Sequence, residues 1–468
     1  MNKIILLAVV SFLGHYTQAQ SFIWAEGGGE TYYDYGNAVD TDPNGNVVAC
    51  GHYYSYYGGM SLGSASFSQS STAVTSSYLI SMDEDGGVNW STTIAGNGNG
   101  TIAYGYAWAE DLAVDKNDGS VIVGGTWAYG IIFGGTGTTS SNTNAYEGFL
   151  VKFDSVGTYE WYKVFTGVSN DNITSVSVDD SGNVYALGRF VNTVVVGSET
   201  LYNSNSSTTD YESFVVKYNS SGTQQWVKHI KTNNDLAFYF TYYPTYAYSY
   251  GSMVNLSNNE DNDVIITGGF TSAINIDTTT VYSSGGYDMY LARLSSSDGS
   301  LQWLERAGSS YNDWGNDVAV DASDNIYATG MVYNTVGFGS QYLTGNYYKA
   351  YLAKYTNSGT CSSVIGSNGT ATGYGNVGSS VSLDDDGNVY LGGRFNGTMT
   401  LGSLSITGAS ASTSFVAKYN TGNSAWEWVS GPNNSYSNNS SNGIRDIAVF
   451  GENNVYTTGP GPDRLGFG

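Results

Sequence analysis

The sequence predicts an all-β fold: a single β-propeller of seven blades, each of about four antiparallel strands. Three observations carry that expectation. A short apolar segment ending in glycine recurs seven times, as NVVACG (46–51), SVIVGG (120–125), NVYALG (183–188), DVIITG (263–268), NIYATG (325–330), NVYLGG (388–393) and NVYTTG (454–459). A second segment recurs six times, as YLISMD (78–83), FLVKFD (149–154), FVVKYN (214–219), YLARLS (290–295), YLAKYT (351–356) and FVAKYN (415–420). Past the first twenty residues no apolar stretch repeats with the 3.6-residue period of a helix.

Each unit adds two more elements. Segments such as NAVDTD (37–42), DLAVDK (111–116), DVAVDA (317–322), VSLDDD (381–386) and IAVFGE (447–452) precede the glycine-ended ones. A tryptophan segment closes the unit at Trp90, Trp161, Trp226, Trp303 and Trp426, with Ser363 in that place in the fifth unit. All are short and rich in Val, Ile, Tyr, Phe and Thr, and Gly, Asp, Asn or Ser bound them, which is strand composition. Turns such as DSGN and DDGN supply the residues that accept positive φ in a tight hairpin. Burying a Trp removes 150–250 Å² from water, worth roughly 4–6 kcal/mol, so one per blade is expected to fix the spacing between neighbouring sheets. A blade cannot bury both its faces alone, and that is the reason for repetition.

The glycine-ended segment appears seven times and the Lys/Arg segment six, while SFIWAEGGG opens the chain with a further Trp24. The last blade is therefore expected to be a composite, with residues 21–28 as its outer strand and residues 444–459 as its inner two. GPGPDRLGFG (459–468) ends as GMVYNTVGFG (330–339) does, yet no third strand follows it. Either that blade is three-stranded or the sequence is a fragment, in which case a C-terminal sorting domain would lie beyond it.

Composition bounds the function. The 468 residues carry a net charge of −24 with 16 Lys and Arg in total and no basic cluster, so nucleic acid and anionic lipid are excluded as partners. Residues 1–20, MNKIILLAVVSFLGHYTQAQ, have a basic start, an apolar run from Ile4 to Leu13 and a small-residue site at Ala19. They read as a secretory signal peptide whose apolar run is too short to span a membrane. The expectation is a secreted or cell-surface monomer, residues 21–468, without membrane insertion. Cys50 and Cys361 fall in different blades and are expected to be buried free thiols.

Aromatic residues concentrate in the connections that a blade sends to one side. GETYYDYGN (29–37), GHYYSYYGG (51–59), TIAYGYAWAED (101–111), YFTYYPTYAYSYGS (239–252) and GSSYNDWGND (308–317) interleave Tyr and Trp with Gly, Asn and Asp. Tyr offers a rigid flat face and a hydroxyl at low entropy cost. The candidate ligand-binding residues are therefore Tyr32, Tyr33, Tyr35, Tyr53, Tyr54, Tyr104, Tyr106, Trp108, Tyr242, Tyr243, Tyr246, Tyr248, Tyr311 and Trp314. The bland alternative is that these rings cover blade ends and hydrogen-bond loop backbone.

Candidate catalytic chemistry is thin. Asp40-x-Asp42-x-Asn44-Gly45 matches the first half of a calcium loop without its bidentate Glu, and Asp83/Asp85 and Asp384/Asp385/Asp386 offer similar clusters. Hairpin geometry accounts for them without an ion, so no cofactor is called, with calcium as the alternative. The mature chain has only His52 and His229, too few for a His-based triad or zinc cluster. Arg293 and Arg306 are expected to be structural, and Arg189 and Arg394 share an equivalent place at the end of the second strand.

The units are similar to the SBBP-type β-propeller repeat, in the style D.sGNvYvtGrF…fG…L…F.aKYn.sG…W, from about residue 21 to the end. The resemblance implies the fold and an exported protein like those of Bacteroidota. It implies no shared catalytic motif. Two enzyme propellers resemble parts of the chain. Asp154…Gly157…Trp161 looks like the quinoprotein dehydrogenase turn, without a vicinal Cys pair, and SSDGSLQW (296–303) looks like a sialidase Asp-box, without a basic triad. The function expected is a non-catalytic binding or adhesion module for polysaccharide or a cell-surface protein. The alternatives are a glycan-active hydrolase or lyase, and a purely structural domain of a larger surface protein.

Overall fold

Strands alternate with tight turns throughout the computed structural model, and no helix occurs among the described residues. The structure describes residues 5–11, 21–28, 34–55, 59–68, 73–97, 105–133, 136–139, 145–205, 210–232, 255–258, 262–369, 375–408, 413–431, 443–451 and 454–459. The chain divides into two compact units, built chiefly on Phe22–His229 and on Ile230–Asn454. Each unit consists of antiparallel meanders, the blades of an all-β propeller fold.

In the first unit the blades are Asp34–Thr41, Val47–Tyr53, Ser76–Met82 and Val88–Gly96; then Tyr106–Val114, Val121–Ala128, Glu147–Phe153 and Tyr159–Gly167; then Asp171–Val178, Val184–Phe190 and Glu212–Tyr218, with Gln224–Thr232 as the outer strand. In the second unit they are Asn255–Asn258, Val264–Phe270, Asp288–Leu294 and Leu301–Gly308; then Trp314–Val320, Ile326–Tyr333, Tyr348–Tyr355 and Cys361–Gly366; then Val377–Leu383, Val389–Phe395, Thr413–Asn420 and Ala425–Ser430. These six sheets follow the repeats in order. Asp446–Phe450 packs on Val377–Leu383. Ile5–Ser11, within the predicted leader, pairs with Asn454–Thr458 (Ala8 opposite Thr457), and Ser21–Gly28 lies beyond it in the same sheet.

The innermost strands share a bulge. One extra residue interrupts the register at Asn37, Glu110, Thr174, Asn316 and Ser379. At Gly51, Gly125, Gly330 and Gly393 the bulged strand brings a backbone carbonyl against the second strand, which leaves no room for a Cβ at the end of those segments. A Cβ on Gly330 would lie 1.9 Å from the carbonyl oxygen of Trp314, and one on Gly51 would lie 1.8 Å from that of Tyr35. Two of the freed side chains cross to the next blade. Asn37 donates to the carbonyl of Ala109 (2.5 Å) and Asn316 to that of Gly378 (2.8 Å). Beside them, Asp111 accepts the Val176 amide (2.8 Å) and Asp317 accepts the Val381 amide (2.6 Å).

The consensus letters form a second network. Asp179 Oδ1 accepts the amides of Ser181 (3.0 Å) and Asn183 (2.9 Å), while Tyr185 donates its hydroxyl to Oδ2 (2.9 Å). Lys217 reaches over from the third strand, its Nζ 5.0 Å from the Tyr185 ring centre. Asp321, Asn325, Tyr327 and Lys354 repeat this arrangement, as do Asp384, Asn388, Tyr390 and Lys418. The letters D, N, Y and K of the repeat are thus one buried hydrogen-bonded unit. Asp42, Asp83 and Asp154 likewise accept two turn amides each. The carboxylates weighed as calcium ligands at Asp42, Asp83 and Asp384 are engaged in turn geometry.

Outer-strand tryptophans tie each blade to the next. The Trp90 indole donates to the Ser155 carbonyl (2.9 Å), Trp161 to Ser220 (3.2 Å) and Trp303 to Asn357 (2.9 Å). Each ring lies against the glycine of the turn it reaches, Gly157, Gly222 or Gly359. The sixth blade differs from the sequence expectation. Trp428, not Trp426, stands opposite Lys418, as Trp161 stands opposite Lys152, because the turn between Tyr419 and its partner Trp426 is one residue longer than that between Phe153 and Tyr159. Trp426 packs on Tyr419 instead, with ring centres 5.2 Å apart.

The connections between second and third strands also depart from the expectation of free loops on one face. Thr193–Val196 and Glu199–Tyr202 form a hairpin that pairs with Tyr159–Gly167, the outer strand of the preceding blade. Gly130–Phe133 joins Val88–Gly96 in the same way, and Val336–Phe338 joins Leu301–Gly308. The hairpins cover outer edges that would otherwise expose unpaired backbone groups. Cys50 and Cys361 are free and buried, as expected.

Two tests follow from these couplings. Trp161→Ala removes the ring on Gly222 and its hydrogen bond, and is expected to lower the unfolding free energy by about 2–4 kcal/mol in urea titration. Burial, with Asp446 next to it, pushes the Asp317 carboxyl up to about 7 from 3.8. The folded state therefore holds a proton that the unfolded chain releases. The resulting stabilisation is full below pH 3.8 and is lost as pH rises through about 7. The stability of Asp317→Asn, followed by thermal unfolding from pH 4 to 8, should fall less steeply than that of the parent chain.

Candidate functional site

The ends of the first two blades, where the innermost strands begin, carry a contiguous group of rings. Tyr35 stacks on His52 with centres 4.7 Å apart, and His52 meets the edge of Trp108 at 6.4 Å. Trp108 lies 5.6 Å from Tyr106 and 5.2 Å from Tyr146, and Tyr106 lies 6.1 Å from Tyr129. All six are half-buried, each with part of its surface in solvent.

Local geometry explains how they gather. Tyr106 and Trp108 are alternate residues of one strand and therefore share a face. Tyr35 and His52 are directly paired across Asp34–Thr41 and Val47–Tyr53. Asn37 holds His52 with a contact of 3.0 Å to Nδ1 while also reaching Ala109, so the bulge latch fixes the ring beside Trp108. Burial, followed by the neighbouring Tyr129 hydroxyl, raises the Tyr106 hydroxyl above its usual range, so the Tyr106 phenol is neutral near pH 7.

Tyr129 has φ +70°, the left-handed region. Asn192, Ser272 and Asn334 hold the matching places with φ between 61° and 69°. Those residues tolerate the conformation better, whereas an aromatic there costs on the order of 1 kcal/mol. The repeat places a strained ring at the one position that carries it into the aromatic group, and retained strain is concentrated at functional sites.

The fourteen candidate residues divide by position. Tyr35, Tyr106 and Trp108 lie in this group, and Tyr54 is half-buried nearby in sequence. Tyr53 and Trp314 are packed inside, at 2% and 8% exposure, with Tyr53 against Phe67 and Trp314 beside Tyr287. Neither has a face to offer a ligand. Tyr311, 49% exposed, heads a separate run in the second unit with Tyr333 and Tyr348 at 4.7 and 4.6 Å. Tyr32, Tyr33, Tyr104, Tyr242, Tyr243, Tyr246 and Tyr248 lie outside the described residues. Sequence reasoning missed His52, Tyr129 and Tyr146. Tyr146 had a signal, since Tyr211, Tyr287 and Tyr348 also stand just before their third strands.

Perturbed carboxylates do occur, but inside blade junctions. Burial and the adjacent Glu147 hold Asp171 well above its usual range, and burial pushes Asp313 up to about 6 with Asp288 near it. All four side chains are buried, so substrate cannot reach them. Arg189 is occupied by Asn172 (2.6 Å) and lies over the Tyr211 ring. Arg293 pairs with Asp263 and Arg306 with Asp288, the structural roles expected of them.

No protein-family model matches the chain. Among curated proteins it is similar to an uncharacterized WD repeat-containing protein of Acanthamoeba polyphaga mimivirus, at 24% identity over 157 residues, 31% of this chain and 10% of that protein. The chain thus matches only about a tenth of that relative's length. Among solved structures it is similar to the Dos1 propeller, at 10% identity and TM-score 0.39, covering 92% of this chain and 93% of that one. It is also similar to the WD40 β-propeller domain of Doa1, at 9% identity and TM-score 0.30, covering 78% and 91%. A protein of unknown function from Bacteroides caccae matches at 9% identity and TM-score 0.26, covering 62% and 89%.

Proposed function

We propose that this chain is an exported, non-catalytic binding module that engages polysaccharide or a cell-surface protein through the rings at the ends of its first two blades. The supporting observation is the six-ring group of Tyr35, His52, Tyr106, Trp108, Tyr129 and Tyr146, one member of which is held at φ +70°. Half-exposed rings stack on the apolar faces of sugars or anchor in a protein pocket, and their hydroxyls satisfy the polar rim. A net charge of −24 disfavours anionic polymers and leaves neutral glycans and basic protein patches as the suited ligands.

The test is binding of the chain to a glycan array and to a cell-surface extract, compared with Trp108→Ala and Tyr129→Asn. Trp108→Ala should lose about tenfold or more in affinity, the equivalent of ~1.4 kcal/mol. Tyr129→Asn should also weaken binding while leaving the unfolding free energy within about 1 kcal/mol of the parent, because Asn suits the left-handed backbone. Equal binding by all three proteins would remove the aromatic group from the function.

A further inference from the structure

The fifth blade is the one whose outer strand lacks the coupling tryptophan. Ser363 stands opposite Lys354, where Trp161 stands opposite Lys152 and Trp303 opposite Arg293. In the second unit the Trp303 ring lies against Gly359, which has φ +83°; in the turn of the sixth blade Ser424, with φ +56°, holds the left-handed place. Ile365, Tyr419 and Trp426 pack against the core at this junction instead. A cleft of about 490 Å³ lies along this junction, lined by Ile365 of the fifth blade and by Tyr419 and Trp426 of the sixth. Ile365 is two residues beyond Ser363 and therefore on the same strand face.

The cleft has the chemistry of a sugar site. Three rings line it: Tyr342, 66% exposed, and the half-buried pair Tyr419 and Trp426, set edge to face at 5.2 Å. Side chains such as Ser403 supply hydroxyls at its rim. Its single charged lining residue is Lys349, whose ammonium donates to Tyr347 Oη (3.1 Å), the Ser367 carbonyl (3.0 Å) and Asn368 Oδ1 (2.7 Å), which uses all three of its protons. A charged ligand finds no free counter-charge there, while a pyranose offers apolar C–H faces to the rings and hydroxyls to the rim. Its volume lies within the ordinary range for a small-ligand site, roughly 300–1,000 Å³.

We infer that the junction of the fifth and sixth blades, where Ser363 stands in the tryptophan position, binds a neutral oligosaccharide. This site is separate from the ring group on the first two blades and does not depend on it. The experiment titrates the chain with neutral hexasaccharides of glucose, mannose and xylose, reading tryptophan fluorescence and chemical shifts. Ser363→Trp restores the repeat residue and fills the cleft. It is expected to keep or raise the unfolding midpoint and to weaken binding at least tenfold. Trp426→Ala should weaken binding similarly, and Ser363→Trp guards against its misfolding. The titrations are run in the Trp108→Ala background, which removes sugar held by the ring group, so that the signal read is that of this cleft alone. Saturable binding untouched by Ser363→Trp, or no response to any of these sugars at millimolar concentration, would overturn the inference.

Discussion

The innermost-strand bulge is the constraint on which the rest of each unit depends. An isolated four-stranded meander has two faces to bury and two edges to protect. At Asn37 and Asn316 the residue inserted into the first strand turns its side chain across to the following blade. There Asn37 and Asn316 reach a carbonyl, while Asp111 and Asp317 take an amide. Backbone groups freed by the bulge in one blade are thereby matched by partners in the next. Such buried polar contacts contribute little net stability each, but leaving one unmade costs more, so they specify which blade follows which.

Two further couplings act at increasing distance from that strand. The Asp–Asn–Tyr–Lys unit closes the first turn and pins the third strand over it. The outer tryptophan then packs on a turn glycine of the following blade, and the hairpin of that following blade returns to pair with the outer strand. Each neighbour is thus held at inner and outer radius, while the Asp–Asn–Tyr–Lys unit ties the strands within its own blade.

The candidate sites are places where the repeat departs from itself. Tyr129 occupies a left-handed position that Asn192, Ser272 and Asn334 fill elsewhere, and Ser363 occupies a position that tryptophan fills elsewhere. The first departure adds a ring to an aromatic group, and the second removes a ring at a junction that holds a cleft. A repeat protein can bear both because its stability is summed over junctions, so one strained or underfilled junction does not unfold the others.

Sequence alone determined the strand periodicity, the turn chemistry and the blade identity of Cys50 and Cys361, because these depend on residues close together in the chain. Of the residues it singled out, Tyr35, Tyr106 and Trp108 lie half-buried at the ends of the first two blades. It could not show that Tyr53 and Trp314 point inward, since adjacent strand residues face opposite ways and a single bulge reverses that parity. The one-residue-longer turn after Tyr419 exchanged Trp426 for Trp428. Nor could it bring His52, Tyr129 and Tyr146 together, because they sit on three different strands whose ends meet only after two blades have packed. What tertiary structure alone decided was the facing of each ring, set by where the extra residue enters a strand.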